Sequence, residues 1–156
     1  MRNRRKTVVI RIITMILVMA IIMPVGAGAA AAETVQPRAS YYLNSYSAYI
    51  YPAGTGRIQA CFSVTGTDYM DEIGALRIAI YESKDNSTWT WVKTYTDDNT
   101  PGLLGYDDFI HTGYVTYQGV IGRYYKAYVC VWAGKDGEGD TRYFWTNAKK
   151  ATLFAE

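Results

Sequence analysis

The residues able to do chemistry in this chain are few. Cys61 and Cys130 are the only cysteines, and His111 is the only histidine. A thiol nucleophile needs a base within hydrogen-bond reach and a third group to orient that base. A zinc site needs more nitrogen or sulfur ligands than these three residues supply. His111 therefore reads as a solvent-facing strand residue. Acids form two clusters: Asp97, Asp98, Asp107 and Asp108 flank a stretch containing Pro101, Gly102 and Gly105, and Asp136, Glu138 and Asp140 alternate along Asp-Gly-Glu-Gly-Asp. Calcium takes about six to eight oxygen ligands, so this last trio is a weak calcium candidate that lacks the rest of an EF-hand loop. Paired carboxylates also serve glycosidases, but those need a substrate cleft deeper than one small domain normally carries. No catalytic set is assigned, and no cofactor is expected.

Aromatic residues are the compositional oddity, with 15 Tyr and four Trp. Tyrosine offers flat apolar area together with a hydroxyl, which suits strands and sticky surfaces alike. Trp89 and Trp91 are two apart and share a face of a regular strand. A bulge between them would bury Trp89 and Val92 and leave Trp91 outside. Trp91 and Trp132, with Tyr81 and Tyr95, are accordingly the candidate ligand-binding residues, able to stack on a sugar ring or anchor a protein partner.

These side chains must be positioned by strands. In residues 57–64, Ile58, Ala60, Phe62 and Val64 alternate with Arg57, Gln59, Cys61 and Ser63, the period of a strand with one buried face. Residues 76–82 repeat it, with Leu76, Ile78 and Ile80 inside, and residues 65–74 between them read as a crossover between sheets. Turn formers at 84–88 precede a strand at 89–96. Residues 97–108 read as irregular, 109–118 as strand, 119–122 as a turn, and 123–132 as a second strong strand with Tyr125, Ala127, Val129 and Val131 inside. A hairpin loop at 133–140 and a last strand at 141–146 follow. No useful helical periodicity appears after residue 33. The fold class is all-β, an antiparallel β-sandwich of immunoglobulin or fibronectin III type.

The N-terminus sets the compartment. Basic residues in 1–11, an apolar run in 12–25 and an Ala-rich end describe a secretory signal peptide. The domain plan is a signal peptide over 1–32, a linker over 33–39 and one β-sandwich domain over 40–156. Loss of 1–32 takes Lys plus Arg from 16 to 11 and keeps all 14 acids, so the charge changes from +2 to −3. Nothing then points to nucleic acid, and no membrane span remains after cleavage. Secretion makes a Cys61–Cys130 disulfide the default, at roughly 4 kcal/mol for a loop of that length. The alternation, however, points both thiols away from the core on different sheets, about 10 Å apart through the packing layer. A bulge would reconcile the two, so the pairing stays open.

The motifs VTGTDYMDEIG, YESKDNSTWTWVKTY and GRYYKAYVCVWAGKDG resemble a family of small secreted proteins of unknown function from Gram-positive, largely clostridial, bacteria. The resemblance implies secretion and carries no activity or site residue. The expected function is a secreted, non-catalytic binding or adhesion module with a carbohydrate or protein partner at the cell surface. The alternatives are a self-associating structural protein and, last, a small hydrolase.

Overall fold

A computed structural model describes residues 40–155; the signal-peptide and linker readings at 1–32 and 33–39 lie outside the described residues. The described chain is all-β. Its strands are β1 (Leu43–Pro52), β2 (Arg57–Ser83), β3 (Thr90–Tyr95), β4 (Leu104–Gln118), β5 (Tyr124–Lys135), β6 (Glu138–Trp145) and β7 (Lys149–Lys150). All belong to one antiparallel sheet. No helix among the described residues is long and apolar enough to cross a membrane.

Strand β2 is the spine. The expected crossover at 65–74 is instead its middle, so the two strong apolar patterns belong to one 27-residue strand. Straight, it would measure about 90 Å, whereas a domain of this size has a radius of gyration of about 13 Å. It must bend. Register shifts between Thr65 and Met70 and between Ala75 and Arg77 mark where it does. Gly74, with φ +145° and Leu103 O against its Cα, occupies the second bend where a side chain would collide. The bulge at Leu76 also corrects the sequence reading: Ala75 faces the core beside Ile78 and Ile80, and Leu76 is only half-buried.

One edge of β2 pairs first with β1 and then with β5; the other pairs with β4 and then β3. Strands β6 and β7 add to β5. The sheet curls until β1 lies against β5 and β7. Thr55 N and Gly56 N in the β1–β2 turn donate to Leu153 O and Thr152 O at 2.7 and 2.9 Å, so the exposed Leu153–Phe154 tail still ties the turn down through its backbone. Ile58, Phe62 and Val64 from one half of β2 thereby share a core with Ile78, Val129 and Val131. Removing such side chains from water is the main stabilising term.

Several boundaries moved outward. Strands β5 and β6 continue to a two-residue turn, Asp136-Gly137, both at positive φ, instead of ending in a long loop. Strand β4 begins at Leu104, well before the expected 109, because Leu104–Tyr106 pair with the bend of β2.

Candidate binding face

Register assembles a site on the outer face of β3, β2, β5 and β6. Ile78, Ile80, Val129 and Val131 turn inward, so their alternate neighbours turn outward. Cross-strand pairing then lines up Trp91, Tyr81 and Lys126 in one row and Ala79, Tyr128 and Trp145 in the next. A third row holds Arg77, Cys130 and Tyr143. A bulge exists, but it follows Trp91 and does not separate it from Trp89 as expected, so both indoles keep the outer face. Tyr81 pairs with Trp91 and Ile80 with Lys93, so Val92 is the extra residue and packs toward the core. Trp91 is left 57% exposed, and Trp89 is half-buried.

The rings touch as a continuous surface. Trp145 meets Tyr81 edge-on at 4.9 Å between centroids and Tyr128 at 4.8 Å, and Tyr128 stacks on Tyr143 at 6.0 Å. Lys126 Nζ lies 4.3 Å from the ring centres of both Trp89 and Trp145. Each such cation–π contact is worth roughly 0.5–1 kcal/mol at an exposed site. Trp91 Nε1 donates to Thr94 Oγ1 at 2.9 Å, which holds the indole in one orientation. Tyr143 and Trp145 remain 57% and 47% exposed, so these rings are packed side by side but not covered.

Of the four residues singled out from the sequence, Trp91 and Tyr81 are direct partners in this surface. Tyr95 is elsewhere. It pairs with inward-facing Ile78, packs on the core and donates its hydroxyl to Thr116 O at 2.8 Å. Trp132 shares the outer face of β5, but its indole lies against Gly134 and Gly139 at the hairpin end, with Nε1 buried and unpartnered. Trp145, Tyr143, Tyr128 and Lys126 were missed. Their signal was present, since Lys126 and Tyr128 alternate against Ala127 and Val129, and Tyr143 and Trp145 are two apart.

The other candidates have structural roles. Asp140 Oδ2 accepts from Ser40 Oγ at 2.6 Å and from the backbone N–H groups of Tyr41 and Tyr42, and these bonds hold its carboxyl below the ordinary range. Glu138 accepts from the Tyr42 hydroxyl, and Asp136 N donates to Asp71 Oδ2. Among the described residues no three His, Cys, Asp or Glu side chains gather as a metal cage. Both cysteines are free thiols. Cys61 sits between Tyr49 and Tyr114, and Cys130 between Arg77 and Tyr143. Burial pushes both thiols above their ordinary pKa. His111 is not solvent-facing as expected. Its ring packs 5.9 Å from Phe62, and Nε2 donates to Gly102 O at 3.0 Å.

No protein-family model and no curated protein matches this chain. Among solved structures, one similar chain is a family 76 glycoside hydrolase from a bovine Bacteroides thetaiotaomicron strain, at 14% identity and a TM-score of 0.30. The match covers 67% of this chain and 20% of that one, so this chain spans about a fifth of the hydrolase. At that score it carries no argument about activity. The residues on the outer face can stack on flat rings and attract anions.

Proposed function

We propose that this protein is a secreted, non-catalytic binding module whose working surface is the outer aromatic face. The observation that carries the reading is the contiguous run of Trp91, Tyr81, Trp145, Tyr128 and Tyr143 across four strands with three of its rings left largely open to solvent. Core packing accounts for inward rings such as Tyr125; it does not account for these. Exposed aromatic patches of this kind mark interaction sites, and rigid Trp and Tyr anchors dominate binding energy where they are found. In this reading the curled sheet is a variant of the two-layer sandwich, and the chain belongs with the small secreted proteins that its sequence resembles.

Glycan arrays and immobilised cell-surface proteins, probed with wild type, Trp91→Ala and Trp145→Ala, test it. A ligand retained by wild type and lost by both variants, at unchanged thermal stability, is the expected result. Ligands bound equally by all three proteins would refute the assignment.

A second reading, self-association, is favoured by one feature. Strand β4 is 15 residues long, contains neither Pro nor Lys, and pairs with β2 alone among the described strands. Such edges template further strands unless protected. Sedimentation over a concentration series separates the readings, since only self-association produces growing assemblies.

A further inference from the structure

The charge pattern of the same face narrows the ligand. The three rows of the face contain Arg77 and Lys126 and no acid. Beyond Lys126, the next outward row pairs Ser83, Tyr124 and Lys150, with Lys150 Nζ 5.4 Å from the centre of the Tyr124 ring. Rows along β5 are two residues apart, so Lys150, Lys126 and Arg77 are spread over about 20 Å of sheet among the aromatic rings. The acids nearest in sequence at that end are Glu82, which faces inward to Tyr125 and Arg123, and Asp85. The Asp85 carboxylate accepts from Ser83 Oγ and from the backbone N–H groups of Ser87 and Thr88. The described ion pairs are Arg123–Glu82, Lys135–Asp68 and Arg142–Asp140, so Arg77, Lys126 and Lys150 are held by no carboxylate among the described residues. This cationic strip is present although residues 33–156 carry three more acids than bases.

We infer that the aromatic face binds an anionic polysaccharide, a chain of hexuronate rings. The inference rests on the proposed binding role of this face and names its ligand class. A polyuronate presents on every ring both a C–H face for stacking and one carboxylate. The alternation of rings and cations matches both demands at once. A phosphodiester polyol has the charge without rings, and a neutral glycan has rings without the charge. The fork of Arg77 suits a carboxylate, accepting two parallel hydrogen bonds from the guanidinium, and Lys126 is held in place by its two indoles.

Affinity electrophoresis in gels containing polygalacturonate, hydroxyethylcellulose or dextran sulfate tests this directly. Polygalacturonate should retard the protein, with retardation weakening as ionic strength rises. Arg77→Ala and Lys150→Ala should each weaken it by roughly two- to fivefold, as for exposed charge contacts. Trp91→Ala should weaken it as well. Equal retardation by hydroxyethylcellulose and polygalacturonate, unaffected by the two cation variants, would overturn the uronate assignment and leave the binding face standing. Stronger retardation by dextran sulfate than by polygalacturonate would also overturn it. Retardation that Trp91→Ala and Trp145→Ala leave intact would overturn the inference together with the binding face itself.

Discussion

Replacing Tyr125 by Phe isolates one hydroxyl at the heart of the fold. Tyr125 is fully buried. Its O–H donates to Glu82 Oε2, and its oxygen accepts from Val120 N at 2.8 Å. Glu82 in turn pairs with Arg123, so the hydroxyl joins the Gly119–Gly122 turn to strand β2. Phenylalanine keeps the ring contact with Tyr117, 5.8 Å between centroids, so no cavity contribution enters. A hydrogen bond to an ionised group contributes about 1.5–3 kcal/mol, and an unsatisfied buried donor costs about 1–3 kcal/mol. Val120 is 52% exposed, which lets water recover much of the second loss. The expected destabilisation is therefore about 2–4 kcal/mol. In urea, with a slope of about 1–3 kcal/mol/M, the midpoint should fall by roughly 1–2 M at unchanged slope. A loss below about 0.5 kcal/mol would refute the reasoning, because it would mean that water replaces the hydroxyl on both partners. The double variant with Glu82→Gln should lose less than the sum of the two single losses, since both remove one network.

Acid should weaken the fold for a related reason. Burial disfavours the Glu82 carboxylate, but the hydrogen bonds from Tyr125 and Arg123 and the Arg123 charge outweigh it and hold the pKa below its ordinary value. Asp85 and Asp140 are lowered by their hydrogen bonds as well. Lowered folded pKa values mean stability present above about pH 5 and lost as pH falls further, so urea midpoints should drop between pH 5 and pH 2, less steeply in Glu82→Gln. Tyr125 has the opposite sign: burial raises its pKa, and stability should fall as pH rises beyond about 10. Gly139→Ala should cost roughly 1–3 kcal/mol by calorimetry, since the new methyl meets the Trp132 indole and Ala133 O. Alkylation without reductant should add two labels to the denatured protein, and in the native state Cys61, half-exposed, should react before buried Cys130; a single disulfide mass would contradict the free thiols.

The sequence by itself determined the all-β class and the inward faces of residues 57–64, 78–82 and 123–132, because alternation is a local property that a strand expresses alone. It also pointed both thiols away from the core and put Trp89 and Trp91 on one face, as a regular strand requires; the bulge that it placed between them lies after Trp91. Tertiary structure decided what is continuous and what is adjacent. Residues 65–74 look like a loop because Gly66, Asp68, Asp71, Glu72 and Gly74 break the apolar pattern, yet β1, β4 and β5 supply hydrogen-bond partners for much of that stretch and make it strand. The composition of the binding face followed the same logic. Trp91, Tyr81, Lys126, Tyr128 and Trp145 come from four strands, and only register sets which of them touch. Tyr95 was indistinguishable from Tyr81 in the sequence. A one-residue bulge at Val92 placed it on the core side of its strand, since each extra residue in a strand exchanges the faces of all that follow.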